Sequence, residues 1–333
     1  MIQHASETSA AANVHARPLS PARAGRAVQN RPSRPARRTL GWYDRCKFSL
    51  VRRIVWGWTR MFSLKGLYLL GVWFATIEYL IDFKRRGRYM RQLRRVFQND
   101  ISLRRQKRIT LSYFRRMRCD KLYYLIFDRL PRDKIMRRIK FKGREYLDAA
   151  LERGDGVYVM LSHNGSHHVA GGLMALLGYQ CAGVRDPNEG AIRIYMREQY
   201  SKNFPEFDSI RVLYADAFPR EIFRCFQENR VVGTALDVGR VRGVALKTCS
   251  VRIFGESREF LTGTLQVALR CRSTVVQAFV VSRRNFYYRL IVKPPLLIPD
   301  DGAEAPKIPE LMQRYADGIE AHVHEYPDHL SRP

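Results

Sequence analysis

Residues 157–168, Val157-Tyr158-Val159-Met160-Leu161-Ser162-His163-Asn164-Gly165-Ser166-His167-His168, decide how the rest of this chain is read. Five consecutive apolar residues, bounded by Gly156 and Ser162, predict a short strand buried on both faces. The run ends in a histidine and turns through Gly165 toward a helix expected to reach Leu177. Such a turn exposes the His163 imidazole at a sheet edge, beside the backbone N–H groups of a helix start. That combination can serve as a general base next to a site that holds an oxyanion, with a donor near Gly165.

Outward from this block, strand and helix alternate. Strands are expected at 179–184, 211–214, 231–236, 246–254, 274–281 and 286–292, with helices at 141–153, 191–203, 220–228, 262–271 and 308–324. The fold class is α/β: a mostly parallel mixed sheet flanked by helices. In such sheets ligands gather beyond the carboxyl ends of the strands, where His163, Arg185 and Asp237 all fall. Arg185 there can clamp a phosphate or carboxylate, or pair with Asp186 or Glu189 at the surface. Thr262-Gly263-Thr264 opens a helix, where hydroxyls and free N–H groups can hold an anion or simply cap.

The N-terminal part is different. A formal net charge of +28, from 59 basic and 31 acidic residues, calls for an anionic partner or surface. Residues 1–40 carry +6 and residues 41–150 carry +20, whereas the remaining 183 residues carry only +2. Residues 1–40, rich in Ala, Arg, Pro and Ser, read as a disordered basic tail; a transit peptide would need an amphipathic face that is missing. From Trp42 to Phe83 the chain turns apolar and aromatic, with cations on both sides. Between Lys65 and Glu78 its uncharged run is shorter than the roughly 20 residues of a spanning helix. The expectation is a helix or helical hairpin lying in a membrane interface, or a marginal span, against a core helix of a soluble domain. Residues 84–140 predict basic helices, with Ser102 as an N-cap and Pro131 as the end of the run. The division is therefore a tail at 1–40, a membrane-associating helical region at 41–140 and an α/β domain at 141–325. Six scattered cysteines without a C-x-x-C pair suit a reducing compartment. Nucleic acid is set aside, because no groove-reading motif accompanies the arginines.

The histidine block has rival readings. Turn decoration is one. A metal site is another, since His163 and His167 are four apart and His168 is adjacent, but there is no H-E-x-x-H frame. A serine hydrolase at Ser166 lacks the G-x-S-x-G elbow.

Taken in order, the blocks over roughly 45–300 resemble the late acyltransferases of lipid A biosynthesis, within the lysophospholipid acyltransferase superfamily. The likeness runs through the apolar stretch and Arg-rich helices, Leu161 to His168, the strand ending at Arg185, Asp216 to Glu228 before Asp237, residues 243–255, and Thr262-Gly263-Thr264. The resemblance implies transfer of a fatty acyl chain from an acyl carrier protein or coenzyme A thioester to a hydroxyl of a membrane lipid or glycolipid. It implies no cofactor beyond that co-substrate, and a place on the cytoplasmic face of the inner membrane. In the family's H-x-x-x-x-(D/E) motif the histidine removes the hydroxyl proton and the acid orients it. Here His163 matches the histidine, while His168 occupies the position of the acid. The carboxylate must then come from another loop, with Asp186, Asp216 and Asp237 as candidates. Arg185 matches the arginine that meets phosphate. A non-catalytic lipid-binding protein on the same fold is the competing reading.

Overall fold

Parallel strand pairing around the histidine block organises the protein. The computed structural model describes residues 40–185, 190–214, 219–239, 246–299 and 307–331. The expected tail, Asp186, Glu189, Asp216 and the start of the 243–255 block lie outside these. Three helices come first: α1 (Trp42–Ile81), α2 (Phe83–Val96) and α3 (Leu103–Ile126). There follow α4 (Arg132–Met136), β1 (Ile139–Lys142), α5 (Arg144–Glu152), β2 (Val157–Leu161), α6 (Ala170–Leu176) and β3 (Cys181–Arg185). Then come α7 (Ala191–Asn203), β4 (Arg211–Tyr214), α8 (Pro219–Gln227), β5 (Val231–Ala235), β6 (Thr248–Ile253) and β7 (Glu256–Leu261). The chain closes with α9 (Gly263–Arg270), β8 (Thr274–Arg283), β9 (Tyr287–Val292) and α10 (Ile308–Glu325).

Seven strands form one sheet in the order β1-β9-β8-β2-β5-β3-β4, parallel except for the antiparallel β8–β9 pair. β6 and β7 make a separate antiparallel hairpin. The α/β expectation is met, and β2 lies at its centre. Its alternate side chains enter different cores: Val157 and Val159 on one face, Tyr158 and Met160 on the other. A strand covered on both faces reads as an unbroken apolar run, which is why it was legible.

Two elements differ from the sequence reading. The helix expected at 141–153 starts late, because residues 139–142 pair as a strand with β9. Ile139 and Phe141 alternate with exposed Lys140 and Lys142, and Gly143 turns the chain at φ 76°. A Cβ at 143 would stand 2.0 Å from the Val292 carbonyl oxygen. The second is β7, unseen in a polar stretch. Phe254 and Gly255, at φ 52° and 77°, form the tight turn that creates its hairpin.

α1 breaks at Ser63 (φ 65°, ψ 169°), so it is two helical segments end to end. By length and composition it is the one helix among the described residues able to cross a membrane. Its second segment packs on α3 through Leu67, Gly71 and Ala75, spaced four apart on one stripe. A Cβ on Gly71 would already meet Cys119 Sγ and Leu122 Cδ1 at 3.0 Å, so this close approach needs glycine. The opposite side leaves Leu69, Trp73 and Leu80 exposed, with Phe74 and Ile81 exposed on the flank of the stripe. α3 begins as expected, with Ser102 Oγ accepting the Arg105 N–H. Pro131 acts differently from its expected role as a terminator, since it stands before α4 and starts that short helix.

The first segment of α1 is held by charge. The Arg52 guanidinium, fully buried, donates to both oxygens of Asp128 (2.5 and 2.6 Å) and to the Leu125 carbonyl (2.8 Å). Asn203 of α7 donates to the same carboxylate at 2.9 Å. A buried pair like this costs desolvation to form, but breaking it leaves a lone charge. Asp128→Ala is therefore expected to lower stability by about 3–5 kcal/mol, read as a drop in the unfolding midpoint. Arg52→Met combined with Asp128→Leu should recover most of it. A single Asp128→Ala that unfolds like the parent would show that the apolar stripe alone docks α1.

Candidate active site

Strand register brings the first two site residues together. β2 and β5 run parallel with Leu161 opposite Ala235. Two residues further along each chain stand His163 and Asp237, so they leave the sheet side by side. The Asp237 carboxylate accepts the His163 backbone N–H (2.8 Å to Oδ2) and lies 2.7 Å from the ring Nδ1 through Oδ1. A carboxylate can only accept here, so the imidazole proton sits on Nδ1 and Nε2 keeps its lone pair. The His163 side chain is 39% exposed and Asp237 only 8%, an open base on a buried acid. Burial pulls the His163 pKa down, but the hydrogen bond and charge of Asp237 outweigh it and the net shift is upward.

His167 and His168 are both pushed toward the neutral form. Burial holds the His167 pKa well below the usual imidazole value, helped by the neighbouring His163 and His168 charges. Burial also lowers His168. The His168 ring stands edge-on to Tyr124 at 5.9 Å and lines the cavity described below. The group that reaches His163 is thus Asp237 from β5, and His168 stays one short turn away. Among the described residues no three His, Cys, Asp or Glu side chains are grouped to hold a metal ion.

The loop between His163 and His168 spends its amides on the fold. The Gly165 N–H donates to the His329 carbonyl (2.7 Å) and the Ser166 N–H to the Val280 carbonyl (2.8 Å). The Asn164 N–H donates to Ser162 Oγ at 3.1 Å. The Gly165 amide is therefore not a donor for an oxyanion, contrary to the sequence reading. Its glycine is needed for shape: φ is 83°, and a Cβ would stand 2.4 Å from the Val280 oxygen. Behind the loop, buried Asp120 accepts from Ser166 Oγ (2.7 Å), Ser282 Oγ (3.1 Å) and the Tyr288 hydroxyl (3.2 Å), and pairs with Arg116 at 3.3 Å.

The Thr262 hydroxyl is committed too. It is buried, donates to the Lys247 carbonyl (3.2 Å) and accepts from Gln266 Nε2 (3.2 Å). Gly263 and Thr264, at the start of α9, do line the cavity, and Thr264 Oγ1 lies 2.6 Å from the Tyr158 hydroxyl.

That cavity, of about 1350 Å³, is bordered by His163, His167, His168 and Arg185, and otherwise mostly by apolar side chains such as Val159, Met174, Phe207 and Val267. Arg193 and Arg197 of α7 border it as well. Arg193 is close enough for its charge to lower the pKa of all three imidazoles. The sequence reading missed this pair, although a four-residue spacing on the helix after Arg185 places both on one face. Asp120 was missed because nothing in an Arg-rich helix marks which acid will be buried.

Gly165→Ala tests how tightly the loop is built. It is expected to cost about 2–4 kcal/mol in thermal unfolding, and an alanine variant as stable as the parent would contradict the positive-φ turn.

A search of curated proteins finds no match. The family model for the bacterial lipid A biosynthesis acyltransferases matches residues 49–329, nearly the whole described chain. The chain belongs to the bacterial lipid A biosynthesis acyltransferase family.

Proposed function

We propose that the protein is a membrane-associated acyltransferase that moves a fatty acyl chain from a carrier-protein or coenzyme A thioester to a hydroxyl of a lipid or glycolipid, with His163 as general base. The observation that carries this reading is the His163–Asp237 contact at a large apolar cavity. Nε2 takes the acceptor proton, the alkoxide oxygen attacks the thioester carbonyl, and the C–S bond breaks. The thiolate leaves with the proton that His163 carried. Asp237 fixes the tautomer and stabilises the imidazolium as it forms. It takes over the work of the family's motif acid, whose position His168 fills. The start of α9 at Gly263 and Thr264 is a source of oxyanion donors at the cavity. Arg185, Arg193 and Arg197 suit phosphate groups of either substrate, and the apolar walls suit an acyl chain at about 0.8 kcal/mol per buried CH2.

For membrane attachment we favour an in-plane helix over a span. Arg118 of α3 is 2.8 Å from Glu78 of α1, and Arg85 of α2 is 2.6 Å from the same carboxylate. A spanning α1 would draw these charges into hydrocarbon, which is costly. An in-plane helix keeps them at the headgroups while Trp73, Phe74 and Leu80 enter the acyl boundary. Such a site serves an acceptor that never leaves the cytoplasmic leaflet. The competing reading, lipid binding without turnover, draws on His168 standing where the family has an acid.

His163→Ala is expected to abolish acyl transfer and leave membrane binding intact; equal transfer by both would end the proposal. For the pH dependence, the raised His163 pKa means the base is unprotonated only above it, so the rate should climb with an inflection above 6.5. Asp237→Asn removes the charge that raises that pKa and leaves only a neutral amide for the hydrogen bond, so the limb should move to lower pH while kcat falls by roughly 10²–10⁴. Trp73→Glu with Phe74→Glu, both exposed, should prevent flotation with anionic vesicles without lowering the unfolding midpoint; unchanged flotation would remove α1 as the anchor.

A further inference from the structure

The last backbone pair between β2 and β5 joins Leu161 and Ala235. Beyond it no further pair belongs to that ladder, yet His163 and Asp237 must stay within a hydrogen bond of each other. The Tyr315 side chain lies at this place. Tyr315 of α10 is fully buried, and its hydroxyl donates to the Leu161 carbonyl at 2.5 Å. The same oxygen accepts the Leu236 N–H at 3.4 Å, and the Asp237 backbone also bears on it. The ring packs edge-on to Phe260 at 6.0 Å.

We infer that Tyr315 is a positioning residue, whose hydroxyl is a side-chain rung continuing the β2–β5 ladder and holding His163 within reach of Asp237. The inference deepens the acyltransferase reading, in which that pair is the working base. Each partner of the hydroxyl is one or two residues from a member of the pair. A buried carbonyl and N–H that lose their shared partner would relax apart, carrying the imidazole and the carboxylate with them. The same C-terminal stretch holds the far side of the loop. The Ser331 N–H donates to Asn164 Oδ1 at 2.9 Å, and His329 receives the Gly165 N–H at 2.7 Å. Both sides of His163 are thus fixed by residues 315–331, more than 150 positions away in the chain.

The test is the titration of His163 in the full-length protein in detergent, followed by NMR with isotope-labelled histidine. The chain has eight histidines, so the resonance is assigned with His163→Gln. Charged and titratable groups facing the ring are Asp237 from β5, Arg193 from α7 and His167 in the loop, and none of these is altered. Tyr315→Phe, which keeps the ring and loses only the hydroxyl, should bring the raised His163 pKa down toward or below 6.5. Phe260→Leu, which loosens the packing around Tyr315 and keeps the hydroxyl, should leave it in place. An unmoved titration in Tyr315→Phe, or an equal shift in both variants, overturns the inference. In acyl-transfer assays Tyr315→Phe should lower kcat on the order of 10-fold at constant KM. Should the parent transfer no acyl chain, the acyltransferase reading fails while the titration still decides this one.

Discussion

The contact between His163 and Asp237 is fixed by sheet register, and the rest of the site depends on it. Parallel pairing with Leu161 opposite Ala235 carries both residues out of the sheet at one level. A slip of one residue would send one of the two side chains to the other face. β2 opposes that slip by side-chain size, because Val157 and Val159 fill one core and the larger Tyr158 and Met160 the other. Core packing and site geometry are therefore one constraint: the valines that make β2 a central strand also aim the histidine that follows it.

On the proposed reading, this is how the site works with a histidine at position 168, where the family motif is expected to carry an acid. The imidazole needs a carboxylate beside Nδ1, and the source of that carboxylate is immaterial to the chemistry. Here it comes from the neighbouring strand end. Asp237 accepts both the backbone and the ring N–H of His163, so it orients the loop as well as the imidazole. His168 packs edge-on to Tyr124 at the cavity wall, where burial lowers its pKa.

The sequence made some of this legible and hid the rest. Apolar runs exposed β2, β3 and β5, and their ends pointed to His163, Arg185 and Asp237. Which acid meets His163 was not readable, because strand order sets it and residues 163 and 237 are far apart in the chain. β1 was taken for helix because four alternating residues are too short to oppose the helical stretch after them. Gly165 and Thr262 look like ligand-binding positions by type. Tertiary structure instead claims the amide of one and the hydroxyl of the other, at His329 and Lys247. Basic helices were legible as such, but the burial of Arg52 and Asp120 was not. Only the packed fold shows which few of 59 cations and 31 acids leave water.

The tautomer of His163 in the resting protein tests this account most directly. Long-range proton–nitrogen correlation on histidine-labelled protein, at a pH above the titration of that ring, distinguishes the two neutral forms. A ring protonated on Nδ1, with Nε2 bare, is the form that a carboxylate 2.7 Å from Nδ1 dictates. A ring protonated on Nε2 would contradict it, since the basic nitrogen would then face Asp237 with nothing to receive from it.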